Sequence, residues 1–413
     1  MDMINTGDTA WVLAASALVM LMTPGLAFFY GGMVRRKNVL SVLMQCMMIL
    51  CVISVQWVLF GYSIAFNHSN NNAFFGGLEW FALNGVGFEP NADYAGTIPH
   101  QAFMIFQAMF AIITPALIIG SFAERMKFSA FLIFTLLWAT LVYDPICHMV
   151  WAVGGYVRNM GALDFAGGTV VHINAGIAGL VTALVLGKRR GYENKPTTIH
   201  NLPFTVLGAA LLWFGWFGFN AGSALGAGAL ATSAFVVTNT AAAAAGLSWA
   251  LLEWKINGKP TVFGTVTGAV AGLVAITPAS GFVNVSGAII IGLLVSVFCF
   301  IAVGVIKPKL GYDDSLDAFG VHCIGGIWGA IATGLFATKA INSAGADGFF
   351  FGNPALLLIQ IKAVVITILY SGIVSFVLLK LVDVLVGLRA SDQDEAIGLD
   401  LTQHKEEAYT VLE

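Results

Sequence analysis

Long apolar stretches recur along the whole chain, each closed by a short polar break. They fall at about 9–33, 39–66, 99–122, 129–149, 166–187, 202–221, 231–254, 261–277, 284–306, 319–338 and 355–387. A run of about 20 apolar residues crosses the hydrocarbon of a bilayer as a helix. These runs lack the residue-by-residue alternation of barrel strands, and lipid leaves only helices and closed barrels with satisfied backbones. The pattern predicts an all-α membrane protein of eleven transmembrane helices.

The polar breaks set an orientation. Arg35, Arg36 and Lys37 close the first run, and Arg125/Lys127, Lys188/Arg189/Arg190/Lys195, Lys255/Lys259 and Lys307/Lys309 mark the same side. The opposite breaks hold a 67–98 loop without Lys or Arg, bare turns at 222–230 and 278–283, and only Arg158 and Lys339. Positive charge stays in the cytoplasm, so the N-terminus is expected outside and the C-terminus inside, as an odd span count requires. Residues 1–8 carry Asp2 and Asp8 and no basic residue, and the run behind them is long for a signal peptide. The expected division is a membrane domain over 1–387 and a polar cytoplasmic tail over 388–413.

Composition narrows the reading further. With 58% hydrophobic and 10% charged residues and a mean hydropathy of +0.85, a soluble domain is excluded. A net charge of −3 offers no surface for nucleic acid. Cys46, Cys51, Cys147, Cys299 and Cys323 sit in apolar context without C-x-x-C spacing, which suits packing better than disulfides or metal. The 47 glycines exceed the usual share of about 7%, as tightly packed membrane helices require.

An internal repeat emerges at the motif H-x3-G-I-x-G. His172, Gly176 and Gly179 fit it in the fifth run, and His322, Gly326 and Gly329 fit it in the tenth. On a helix these positions share one face, so each imidazole stands on glycines that admit a close neighbour. Thr114-Pro115-Ala116 in the third run recurs as Thr277-Pro278-Ala279 in the eighth. Five runs per copy is odd, so the repeats, about 9–187 and 202–338, are inverted, with a last helix at about 355–387. Inverted repeats with a site between them mark transporters and channels.

Several polar and aromatic residues bear on that site. A pair of neutral imidazoles can share one N–H···N bond and still offer a donor and an acceptor to a small solute. A zinc centre needs further ligands that no other buried histidine or carboxylate supplies, so no metal is expected. Asp164 precedes His172 by eight residues, about 12 Å along a helix; it is read as a cap for the amides of its own segment, with a field contribution. Phe106 and Phe110 form an i, i+4 pair, as do Phe219 and Ser223, and Trp151 follows the fourth run. A ring face with a hydroxyl acceptor suits a small cation bearing N–H groups. Gln107, Asn174, Asn220 and Thr277 either line the same path or bridge helices, and Lys362 is left without a role. In the tail, Ile397 to Asp400 and Glu407 to Tyr409 resemble docking elements on an otherwise disordered end.

The chain resembles the ammonium transporters (Amt/Mep/Rh), on the bacterial Amt side, over nearly its full length. The match is carried by PGLAFFYGG at 24–32, AERMKFSA at 123–130, HMVW at 148–151, DFAGGTVVHINA at 164–175, WFGFNAGS at 216–223, FGVH at 319–322 and GLDLTQHKEEAY at 398–409. The resemblance implies a homotrimer in the inner or plasma membrane, each protomer with its own pore and no cofactor. It implies that Phe110, Trp151 and Ser223 recruit ammonium, that Phe110 and Phe219 form a gate, and that His172 and His322 line the pore. Asp164 is then the conduction-critical acid, and the tail a segment answering to a PII-type regulatory protein. Two rivals stand beside this reading: a proton-coupled carrier of another solute, with the histidines as a relay, and an ammonium sensor, which would be expected to carry an appended signalling domain.

Overall fold

The computed structural model describes residues 4–192 and 199–409; Lys195, counted among the basic markers, lies outside them. Among the described residues ten helices are long and apolar enough to cross a membrane. They are α1 Thr6–Met33, α2 Arg36–Phe66, α3 His100–Phe122, α4 Phe128–Asn159, α5 Gly168–Leu186, α6 Leu202–Gly222, α7 Ala229–Asn257, α9 Val285–Leu310, α10 Phe319–Phe336 and α11 Pro354–Val386. A shorter apolar helix, α8 Val262–Ile276, lies between α7 and α9 in sequence. The 67–98 loop folds into a small antiparallel hairpin, β1 Pro90–Asn91 with β2 Ala95–Pro99.

The ends of the helices define two faces. On one, the N-terminal face, Asn5 N–H donates to Thr97 at 2.8 Å and Ala227 N–H to Asp8 at 2.8 Å. On the other, the tail face, the ends of α1, α3 and α5 meet residues 388–409. α3 is the most enclosed helix, buried along almost its entire length. α5 packs beside it, and α11 packs along α5 and α10.

The repeat is visible as local geometry. α4 and α9 carry π-type turns at Ala139–Tyr143 and Ala302–Ile306, and α5 and α10 carry them at Gly168–Ile173 and Phe319–Cys323. Such turns are rare in ordinary helices and gather at functional sites. Thr114 and Thr277 each donate a hydroxyl to the carbonyl four residues back, at 2.6 and 2.8 Å. Their prolines behave differently: Pro115 stays inside α3, whereas α8 stops at Ile276 and Pro278 lies in the turn beyond it.

Glycines hold the two copies together. A Cβ on Gly176 would lie 2.5 Å from the Cys323 amide nitrogen, and one on Gly326 would lie 3.1 Å from the His172 Cβ. The backbones of α5 and α10 therefore meet at the two histidines, as small residues between membrane helices allow.

Candidate functional site

Asp164 organises the entry to α5. Its carboxylate accepts from the N–H groups of Gly167, Gly168, Thr169 and Val170 at 2.8, 2.6, 2.8 and 3.2 Å, and from the Thr169 hydroxyl. Gly167 turns the chain with φ at +112°, a conformation open to glycine. The side chain is a helix cap and makes no bond to His172. Its backbone carbonyl accepts the Trp151 indole N–H at 2.9 Å, so the cap also fixes Trp151.

Trp151, Ser223, Gln107 and Asp164 line a vestibule of about 600 Å3, including its open mouth, on the N-terminal face. Phe110 meets Trp151 edge to face at 5.7 Å between centroids and lies 4.3 Å from Phe219. The two phenyl rings are fully buried, in contact with Trp151 on one side and His172 on the other. Ser223 donates to the Phe219 carbonyl at 2.9 Å, which leaves its oxygen lone pairs free to accept.

Behind the rings lies a narrow chamber lined by Phe219, Trp216, Val171 and both histidines, with Met22, Leu26 and Phe29 of α1 opposite. His172 and His322 are parallel, 5.4 Å apart and 12° from coplanar orientation, and His172 also stacks on Trp216 at 5.4 Å. Among the described residues neither nitrogen of His172 nor Nδ1 of His322 has a hydrogen-bond partner. The expected N–H···N bond between the rings is not formed; they stand side by side, held by stacking and by the glycine contact. His322 also lines a further cavity toward the tail face, with Tyr30, Thr267 and Asp317. Vestibule, phenyl pair, histidine chamber and inner cavity follow one another in series.

The family model described as Ammonium Transporter Family matches residues 10–409. This chain belongs to the ammonium transporter family. It is 56% identical over 98% of its length to an ammonium transporter of Bacillus subtilis, covering 99% of that protein. It is 48% identical to the ammonium transporter Amt1 of Archaeoglobus fulgidus, covering 98% of this chain and all of the other. The crystal structure of Mep2 from Saccharomyces cerevisiae superimposes with a TM-score of 0.89 at 36% identity, over 94% of this chain and 88% of Mep2. A sensor Amt protein has the same fold, with a TM-score of 0.89 at 28% identity over 96% of this chain and 98% of that one. The chain is a multi-pass membrane protein of ammonium transport, in a family of transporters rather than enzymes.

The remaining polar candidates of this transporter sort by their partners. Asn220 donates to the Thr238 hydroxyl and Thr277 accepts from the Trp216 indole, so both bridge elements of the bundle; Asn174 donates to the Val170 carbonyl within its own helix. Gln107 alone of the four faces the vestibule. Lys362 is exposed on the outer surface of α11, away from the path. Among the described residues no group of three or more His, Cys, Asp or Glu is placed to hold a metal.

Two participants went unread in the sequence. Trp216 lies three residues before Phe219, on the same helix face. Asp314 precedes His322 by eight residues, as Asp164 precedes His172, and accepts from the N–H groups of Ala318 and Phe319 at 3.2 and 2.8 Å. The spacing D-x7-H in both copies was the available signal. Burial, with the Asp317 carboxylate nearby, pushes the Asp314 carboxyl up to about 6.

The tail face is a buried charge cluster. Arg189 pairs with Asp313 at 2.8 Å and with Glu124 at 3.2 Å, and Arg35 pairs with Glu124 at 2.9 Å. Burial alone would raise the Glu124 and Asp313 carboxyls, but the guanidinium groups outweigh it and hold both below the usual range. From Leu388 to Tyr409 the tail is not a loose end, because its backbone groups find partners on the bundle. Ala390 N–H donates to Arg125, Leu399 N–H to Asn38, and the Asp400 carboxylate accepts from Ser41. Ile397–Asp400 thus docks on the start of the protein's own α2, and Tyr409 meets His200 at 3.0 Å.

Proposed function

We propose that ammonium is captured at Trp151, Phe110 and Ser223, gives up its proton, and crosses as ammonia past the Phe110–Phe219 gate and the His172–His322 pair. The observation that carries this reading is the paired, parallel imidazoles in a narrow apolar chamber directly behind an aromatic-capped vestibule. A bare cation in such a chamber costs several kcal/mol or more. A cation–π contact worth about 0.5–2 kcal/mol stabilises it at the entrance and not along the path. Potassium has no proton to lose and no N–H to donate, so it is held back at the same place.

Eleven spans follow if α8 crosses as the others do, with the N-terminal face outside and the tail in the cytoplasm, by the distribution of basic residues. The same reading places the protein in the plasma or inner membrane as a homotrimer. Residues 1–387 act as the transport domain and 388–413 as a regulatory segment for a PII-type protein. A direct proton relay between the histidines is disfavoured, because their nitrogens do not meet.

Solid-supported membrane electrophysiology on proteoliposomes tests the proposal. Ammonium jumps should give a current or internal alkalinisation that potassium does not. Ser223→Ala should raise the half-saturating ammonium concentration by about ten-fold or more, the loss of one hydrogen bond to a cation. Unchanged kinetics in Ser223→Ala remove the recruitment assignment; ammonium binding without flux moves the reading to a sensor.

A further inference from the structure

Three charged side chains line the vestibule: Asp93, Arg158 and Asp164. They are not equivalent. Asp164 spends both carboxylate oxygens on its own helix start, as described above. Arg158 donates to the Trp151 carbonyl at 2.5 Å and so fixes a positive charge at a mouth that has to admit a cation.

Asp93 stands apart. It lies in the turn between β1 and β2, where its N–H donates to the Asn91 side chain at 3.0 Å. The next residue, Tyr94, stacks on Phe103 and donates its hydroxyl to the Phe66 carbonyl, which anchors the turn beside the mouth. The Asp93 side chain is 53% exposed, and its one side-chain partner among the described residues is the His68 imidazole, at 3.5 Å. That separation is long for a charge-assisted bond, so the carboxylate keeps acceptor capacity. Gln107, nine-tenths buried against the same vestibule, has an amide oxygen with no partner among the described residues. The vestibule therefore offers unpaired acceptors, as a site for a ligand rich in N–H groups should.

We infer that Asp93 is a recruitment residue: a carboxylate at the rim that offsets Arg158 and draws ammonium and small alkylammonium ions into the vestibule before they reach Trp151 and Ser223. This rests on the vestibule being the recruitment site. A charge at a narrow mouth acts by raising the local concentration of counter-ions, and the effect fades as salt shortens the Debye length.

The test is half-saturating ammonium for Asp93→Asn in proteoliposomes, at ionic strengths of about 10 mM and about 300 mM set with sodium chloride. At the low value the variant should need about two- to five-fold more ammonium than wild type, with the gap closing at the high value. Asp347→Asn removes a charge from the same face outside the vestibule and should shift less. A shift of equal size at both ionic strengths overturns the inference, since a merely disturbed hairpin would behave that way. No shift in Asp93→Asn with a shift in Ser223→Ala overturns it alone. No shift in either overturns the recruitment site itself.

Discussion

Replacing Asp164 with asparagine separates a cap from a charge. The carboxylate takes up four backbone N–H groups and one hydroxyl, with Oδ1 serving Gly167 and Gly168 and Oδ2 serving Thr169 and Val170. Asparagine keeps one acceptor and turns the other into a donor. Whichever way the amide is turned, two backbone N–H groups then face an NH2. Each stranded donor costs about 1–3 kcal/mol when buried, and losing an anion at a helix N-terminus costs about 0.3–1 kcal/mol more. Because the side chain is only partly buried, water relieves some of this, and the net loss should be about 2–4 kcal/mol. That is enough to loosen the turn that carries His172 and the carbonyl that holds Trp151. Thermal unfolding of Asp164→Asn in detergent should fall by several degrees, and its ammonium-driven current should drop at least about ten-fold. An asparagine variant that melts with wild type refutes the capping argument. Lost current with unchanged melting would assign the carboxylate to its charge alone.

Further expectations follow from the histidine chamber and the tail face. Gly176→Ala places a Cβ 2.5 Å from the Cys323 nitrogen and should cost about 1–3 kcal/mol, read as a lower melting temperature together with reduced flux, because Cys323 neighbours His322. His172→Asp should abolish ammonium flux or admit potassium, since a fixed charge changes what a low-dielectric path tolerates; wild-type rate and potassium exclusion would remove His172 from the pore lining. Glu124 and Asp313 are held below the ordinary carboxylate range, so their stabilisation is complete above about pH 4 and is lost as pH falls from there through their folded values. Melting temperature in detergent should therefore drop below about pH 4, and less steeply in Glu124→Gln.

The sequence carried a great deal because lipid is a strict solvent. Apolar length alone located the helices to within a few residues; continuous helix in α4 ends at Trp151, and Tyr156–Asn159 is a separate short turn of helix beyond a break. The histidine motif also predicted contact between the two copies, since glycine at i+4 has a direct packing meaning. What stayed hidden depends on direction rather than residue type. Nothing in the pattern says that the rings at 172 and 322 lie parallel and unbonded, because that follows from where two π-type turns aim their side chains. The tail looked disordered because its composition is polar, yet Asn38, Ser41, Arg125 and His200 supply specific partners that composition does not record. Asp314 was legible as the counterpart of Asp164, but only to a search for matching acids as well as matching histidines.

The backbone contact at Gly176 and Gly326 limits how this molecule can move. A carrier that exposes its cargo alternately to each side swings one half against the other about the cargo. Here the halves are interlocked at the very residues that would have to part, and sliding them would prise open a dry seam with nothing to fill it. On the proposed function, motion during turnover is therefore left to side chains, above all the phenyl pair ahead of the chamber, which would serve as a small door in a rigid tube.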